Sequence, residues 1–528
     1  MKPKYWAIGW LTIVVLGLGF LGIWVYKVDP FMHYHKPDTT KYFYTLDNQR
    51  SQNDGITKHF EYNAMITGTS MTENFKTSDM DVIFDCKSIK VPYSGGTYKE
   101  TNENLIVAVE NNPNLEIVVR GLDMWMFFDS KDRMRTDLGD FPTFLYDSKP
   151  LNDVLYIWNR DIIWSRVYPI AEARSQDGFA PGITSFDEYS SWQYENSFGM
   201  REVCQNGIED IAKGKPIHLS EAEKKTIEGN VSQNVIQIAK ENPNITFYYF
   251  FTPYSAIWWK NLVVKGDIYK QIEAEEYIIE MILQCDNIRL FSFNNRLDIT
   301  GNINNYKDTI HYGQWINSLI LRWMHDGKYE LTEDNYAEYL ETELNNYLNF
   351  EYSKLNSQVD YESDFYIAAL LNQEFSGVQP VDLLGTNREN LHLYSANIVE
   401  GQCDNTCGIE CIGNLQHETE ISAKGYAESE EYIGATIEVE NVDDYGYLTF
   451  YGKTLSTGSQ PIVCVIDENG EIVGELPYNC YDIDNEWHQY VIDMTAINGK
   501  VQIIFGCEYE ASVGRPEPVY MYSKIIMY

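Results

Sequence analysis

Three side chains have the types and settings that nucleophilic catalysis needs. Ser70 comes directly after the apolar run Ala64 to Thr67 and before a predicted helix. A hydroxyl placed there stands at a helix N-terminus, where free backbone N–H groups can hold an oxyanion. A serine nucleophile needs a base, and the base needs a carboxylate to orient it. Asp308-Thr309-Ile310-His311 offers both, because three residues' separation can bring Asp308 beside the imidazole within one turn. Gly95-Gly96 follows a second apolar run, Ser88 to Val91. Glycine lets the backbone approach a reacting carbonyl and donate an N–H. The oxyanion-hole candidates are therefore the backbone N–H groups of Ser70, Gly95 and Gly96.

Each feature also has an ordinary reading. Ser70-x-x-Glu73 matches a capping box, Asp308 can cap the helix that follows it, and a glycine pair commonly makes a tight turn. What joins them is position: each lies just beyond a predicted strand, in the chain order Ser, Gly, Asp-x-x-His. The other eight histidines have no Asp at this spacing in such a loop.

The elements that must position these groups alternate strand and helix. Predicted strands are Ala64 to Thr67, Ser88 to Val91, Leu115 to Val119, Ile245 to Phe251 and Ile288 to Phe293. Helical stretches cover about 98–110, about 220–242 (opened by the capping box Ser220-x-x-Glu223), about 268–285 and 313–325. On the last of these, Ile316, Leu319, Ile320 and Trp323 share one face. This pattern predicts an α/β doubly wound parallel sheet, with its ligand crevice at the carboxyl ends of the strands. Residues 124–215 are poorly periodic and read as an insertion of short helices and loops. After about 390 the period becomes two, and Asn469-Gly470 marks a hairpin, so this region is expected to be an all-β sandwich. The expected organisation is a tip and membrane helix over 1–27, a polar stalk over 28–60, the α/β domain over 61–355, a linker over 356–389 and the sandwich over 390–528.

The strand-end pattern resembles the SGNH, or GDSL-like, hydrolase superfamily. Gly68-Thr69-Ser70 matches its first block, Gly95 or Gly96 the glycine of its second, and Asp308-x-x-His311 its fifth. Together with the N-terminal apolar run, the Thr-Gly-Thr-Ser strand end and the Tyr-Lys-Asp-x-Ile-His-Tyr run look like anchored extracytoplasmic members. Those members lie near the teichoic-acid D-alanylation and alginate O-acetylation proteins. The resemblance covers about 60–330. It implies that Ser70 is the nucleophile, His311 the base and Asp308 its orienting carboxylate, with no cofactor or metal. One position departs. Where the third block supplies an oxyanion-binding Asn, this chain has Gly121-Leu122-Asp123, and an ionised Asp123 would repel an oxyanion. Asp123 is then open to three roles: a protonated group, a substrate contact with Arg120, or a structural group. Tyr254, after the fourth strand, is a further substrate-contact candidate. The sandwich resembles a carbohydrate-binding-module jelly roll in the stretch from Trp487-His488-Gln489-Tyr490 to Met494 and in the closing strand Val519 to Tyr528.

Composition bounds these readings. The chain of 528 residues is long enough for two or three domains. A formal net charge of -38, with 30 acidic and 7 basic side chains in residues 351–528, excludes a nucleic-acid partner. The 40 tyrosines and 12 tryptophans suit sugar surfaces, cores and membrane interfaces alike. Residues 6–26 carry no charge and are long enough to span a bilayer, and Lys2 and Lys4 before them place the N-terminus in the cytoplasm. An uncleaved anchor is favoured over a signal peptide, because the run is long and ends in Ile-Trp-Val-Tyr-Lys-Val-Asp. The rest of the chain is then expected outside the cell membrane, in a bacterial envelope. There Cys403, Cys407, Cys411, Cys464, Cys480 and Cys507 are expected to form disulfides of open pairing. Cys86, Cys204 and Cys285 read as core thiols. The expected function is a membrane-tethered serine esterase or O-acyltransferase acting on acyl groups of a cell-surface polysaccharide. The alternative is a non-catalytic surface glycan-binding or assembly protein on the same scaffold.

Overall fold

The computed structural model describes residues 3–137, 139–147, 149–176, 178–193, 198–204, 208–209 and 211–357. Further on it describes 381–382, 391–395, 420–424, 431–443, 445–454, 460–476, 487–494, 496–509 and 519–527. The chain divides into two compact units, Met1–Gln358 and Val359–Tyr528.

The first unit opens with α1 (Pro3–Val28), the one helix among the described residues long and apolar enough to cross a membrane. Residues 28–60, expected as a polar stalk, are instead folded into this unit. They carry α2 (Gln49–His59), in which Gln52, Asn53 and Asp54 are buried. Their polarity is matched by partners. The Asn53 amide donates to the Pro92 carbonyl at 2.7 Å and accepts from the Tyr189 hydroxyl at 2.6 Å. The Gln52 side-chain oxygen accepts the N–H groups of Asp47 and Asn48. Hydrogen-bonded polar groups can be buried, so composition alone misplaces this segment.

The central sheet contains β1 (Ala64–Gly68), β2 (Ser88–Pro92), β3 (Ile117–Leu122), β4 (Thr246–Phe251), β5 (Ile288–Ser292) and β6 (Glu330–Leu331). Its order is β2-β1-β3-β4-β5-β6. The first five strands are parallel, and β6 runs antiparallel to β5. Both β1 and β2 are buried along their whole length, which is why they read as runs rather than alternations. Between β1 and β2 lies α3 (Thr77–Phe84), and between β2 and β3 lies α4 (Tyr98–Asn111), opened by a capping box of Thr97 and Glu100. Strand order reverses at β1, with β2 added on one side and β3 on the other, so the gap between β1 and β3 is the topological switch point where such sheets hold ligands. Beyond β3 come α5 (Glu221–Val231, opened by the Ser220–Glu223 capping box), α6 (Ile268–Ile282), α7 (Gln314–His325) and α8 (Tyr336–Leu348). α3 packs with α7, whereas α4 packs with α2. Ile316, Leu319, Ile320 and Trp323 are fully buried on α7. The described residues of 124–215 form short helices, turns and a two-residue strand, Gly182–Ile183, paired with Phe43–Tyr44.

The second unit holds two antiparallel sheets. One runs Leu391–Ser395, Glu431–Val439, Val501–Tyr509, Gln460–Asp467, Ile472–Leu476. The other runs Glu420–Lys424, Val519–Met527, Tyr447–Thr454, Trp487–Asp493, with Val381–Asp382 also paired to Val519–Met527. Side chains of both sheets share one core, with the Phe450 and Phe505 ring centroids 5.4 Å apart. The hairpin turn falls at Asn469-Gly470, between Gln460–Asp467 and Ile472–Leu476. Cys464 is a buried free thiol, which corrects its expected place in a disulfide. Cys403, Cys407, Cys411, Cys480 and the Cys507 side chain lie outside the described residues, as does most of the expected linker. Cys86, Cys204 and Cys285 are free, with only Cys285 fully in a core.

Candidate active site

Ser70 begins a short 3-10 turn (Ser70–Thr72) directly beyond β1. Thr69, not Ser70, caps this turn, its hydroxyl accepting the Met71 N–H. The capping-box reading of Ser70 therefore fails, and its hydroxyl is left for another partner. That partner is His311: Ser70 Oγ lies 2.8 Å from His311 Nε2 across 241 positions of sequence. The other ring nitrogen, Nδ1, lies 2.7 Å from Asp308 Oδ2. Asp308 Oδ1 accepts the backbone N–H groups of Ile310 and His311, which closes the loop into one rigid turn. Burial works to raise the Asp308 carboxyl, but these bonds and the imidazole hold it below its ordinary value. The imidazole is thus held by the Asp308 carboxylate and faces the Ser70 hydroxyl.

The two glycines after β2 divide. The Gly96 N–H is spent on the Tyr93 carbonyl, which removes it from the oxyanion-hole candidates. Gly95 sits at φ +55°, a left-handed backbone conformation that favours glycine, whereas a Cβ there would meet only the movable end of the Arg135 side chain. Among the described residues the Ser70 and Gly95 N–H groups have no acceptor. Both residues line an open cleft of about 1080 Å³ that also contains His311.

The three substrate-contact candidates do not line this cleft. Arg120 is fully buried and donates to the carbonyls of Asn234 and Tyr98 and to the Thr101 hydroxyl. Asp123 is 1 % exposed, and its two oxygens each accept one hydroxyl at 2.6 Å, from Thr69 and from Tyr254. Tyr254 is itself buried, donates its hydroxyl to Asp123 and packs its ring edge-on to Trp258. Burial raises the Asp123 carboxyl, and the two hydroxyl bonds oppose the rise. This corrects the substrate-contact expectation for all three. Asp123 braces the ends of β1, β3 and β4 beneath Ser70, which is the structural role among the three left open.

Several residues at the site carry no sequence signal. Gln49 of α2 accepts the Ser94 N–H at 2.5 Å and donates to Glu73 Oε1 at 2.5 Å. It thereby clamps the loop before Gly95 to the turn that carries Ser70. Burial raises the Glu73 carboxyl, and the Gln49 bond opposes it. Lys90 Nζ donates to the carbonyls of Glu73 and Phe75, fixing the chain just after Ser70. Trp192, from the unpatterned insertion, sets its ring edge-on to His311 at 5.7 Å and donates to the Ser70 carbonyl at 3.4 Å. Lys307 lies 3.9 Å from the Trp192 ring centroid. Gln49 was hidden by the stalk reading and Trp192 by a segment without periodicity.

No protein-family model matches the chain, and no curated protein matches it. Solved structures that it is similar to include a family 11 carbohydrate-binding module of a cellulosomal cellulase of Clostridium thermocellum. That match has 10% identity, covers 28% of this chain and 94% of that one, and has a TM-score of 0.21. A family 29 carbohydrate-binding module is similar at 10% identity over 29% of this chain and 92% of its own, with a TM-score of 0.19. An exo-beta-agarase is similar at 11% identity over 28% of this chain and 24% of its own, with a TM-score of 0.20.

Proposed function

We propose that this chain is a serine esterase or O-acyltransferase of SGNH type, tethered to a membrane by α1 and acting on acyl groups of a cell-surface polysaccharide. The observation that carries this reading is the pair of contacts joining Ser70 to His311 at 2.8 Å and His311 to Asp308 at 2.7 Å beside an open cleft.

The chemistry follows from the contacts. His311 Nε2 takes the Ser70 hydroxyl proton as Oγ attacks an ester carbonyl carbon. Asp308 holds the Nδ1 proton and stabilises the imidazolium. The carbonyl oxygen gains the electron pair, and the unpaired N–H groups of Ser70 and Gly95, two residues that line the cleft, serve as its donors. Collapse expels the alcohol, which leaves with the proton from Nε2, and Ser70 keeps the acyl group. Water or a sugar hydroxyl then gives its proton to Nε2, attacks the acyl-enzyme and restores Ser70. A protein that only bound glycans would have no use for an alcohol bonded to an oriented imidazole. The polysaccharide part of the reading rests on the resemblance of the sequence and on the pattern of the C-terminal sandwich.

The test is Ser70→Ala in the full chain. Turnover of p-nitrophenyl acetate and labelling by a fluorophosphonate probe should both vanish while the melting temperature holds. Labelling that persists in the variant, or is absent from the parent, removes Ser70 as nucleophile.

A further inference from the structure

The C-terminal third of α1 does not stand apart from the folded unit. Val25 and Val28 are buried in one apolar cluster with Tyr156, Ile163 and Val167. Gly22 lets the segment 157–158 come close: a Cβ there would lie 3.0 Å from Ile157 Cγ2. The Trp158 indole N–H donates to the carbonyl of Leu18 at 3.0 Å, ten residues before the helix ends. The short helices of residues 151–168 therefore run alongside the apolar helix over its last turns.

These short helices expose large apolar side chains beside the charged Arg160 and Asp161, an amphipathic surface. Leu151 is 88 % exposed, and Val154, Leu155, Trp158, Trp164 and Tyr168 are exposed as well. Their apolar surface continues that of α1, whose outward side chains from Trp6 to Phe20 are exposed over the same helix. Length arithmetic agrees. Lys4–Val28 has 25 residues. At 1.5 Å per residue that is roughly 37 Å, against a hydrocarbon core of about 30 Å. A span starting at Trp6 would leave the core near Val25, which puts Leu18 about 10 Å below the outer edge. Interfacial helices bury their apolar faces by roughly this depth, and Trp and Tyr gather at this level.

The geometry points to a second membrane contact: the 151–168 helices lie in the outer bilayer interface beside α1, so that the folded unit rests on the lipid surface instead of extending from it on a flexible stalk. This inference depends on α1 spanning the bilayer and is independent of the esterase reading. It also makes α1 part of the folded unit, since its removal would open the cluster around Tyr156.

Photo-crosslinking tests it in the full chain held in nanodiscs of phosphatidylethanolamine and phosphatidylglycerol. Benzoylphenylalanine is placed at Leu155, at Leu16 on α1 as the span control, or at Val82 on α3, which is 81 % exposed. These side chains are exposed, so folding should survive each replacement. The expected result is a lipid-mass shift from Leu155 and Leu16 and none from Val82. A lipid shift from Leu16 alone, a protein–protein adduct from Leu155, or equal shifts at Leu155 and Val82 overturns the interfacial contact. No shift from Leu16 overturns it through the span itself.

Discussion

Replacing Asp308 by asparagine separates orientation from mere presence of the base. Asp308 Oδ1 accepts two backbone N–H groups, from Ile310 and His311, and Oδ2 faces the ring Nδ1. In Asp308→Asn the remaining side-chain oxygen must stay with the two N–H groups, because leaving them unpaired costs about 1–3 kcal/mol each. The new NH2 group then faces Nδ1 and can only donate to it. The imidazole proton is forced to Nε2, where the ring can no longer accept from Ser70. A wrong tautomer of this kind lowers turnover by roughly 10,000-fold, or about 5 kcal/mol of barrier. The assay is kcat/KM with p-nitrophenyl acetate, read beside the melting temperature. Activity should collapse while Tm moves little, since both backbone bonds survive. Asp308→Ala should do the reverse in part: it strips the two N–H groups of their acceptor and lowers Tm, yet leaves the ring free to adopt either tautomer. If Asp308→Asn keeps activity within tenfold of the parent, the orienting role assigned to this carboxylate is wrong.

Three further outcomes are expected. Asp123→Asn should not raise turnover, because the position is buried under hydroxyl donors; a lowered Tm with unchanged or reduced kcat is expected, and a gain in kcat would contradict the brace. Gln49→Leu cuts the link between Ser94 and Glu73 and should reduce kcat about tenfold or more with a smaller change in KM, as loss of a transition-state donor does; unchanged kcat removes Gln49 as a positioning residue. Glu275 and Glu343, buried on α6 and α8, form the third case: burial raises Glu275 to about 7 and Glu343 well above its ordinary value of 4.5, with each carboxylate acting on the other. The folded chain holds protons there that the unfolded chain has released, so this contribution to stability is full below about pH 4.5 and is lost as pH rises through 7. Glu343→Gln should therefore raise Tm at pH 8 and leave it unchanged at pH 4; an equal effect at both pH values would refute the linkage.

The prediction of a doubly wound sheet came from periodicity, and its strands are found within one or two residues at most ends. Parallel strands buried on both faces must be apolar throughout, and their helices must be amphipathic, so both leave a readable trace. The same holds for the Ser220–Glu223 cap and for the Asn469-Gly470 turn, where a local backbone need selects residue type. Segments whose burial is polar left no such trace. α2 reads as hydrophilic, yet Gln52, Asn53 and Asp54 are interior groups: Asn53 pairs with the distant Pro92 carbonyl and Tyr189 hydroxyl, Gln52 with the neighbouring Asp47 and Asn48 N–H groups, and Asp54 with Lys58 of the same helix. Trp192 sits in a stretch with no period at all.

The sequence by itself determined which groups could react and that Ser70 and Gly95 follow strand ends, because chain order and hydrophobic period are local properties; Asp308 and His311, expected just beyond a strand, instead follow two short helical segments, Leu297–Thr300 and Ile303–Asn305. Only the tertiary structure decided which of them meet. It brought Ser70 to His311, took Gly96 out of the oxyanion hole, and turned Arg120, Asp123 and Tyr254 inward as supports. Side-chain direction at a strand end depends on partners dozens to hundreds of positions away, and a linear pattern does not encode those distances.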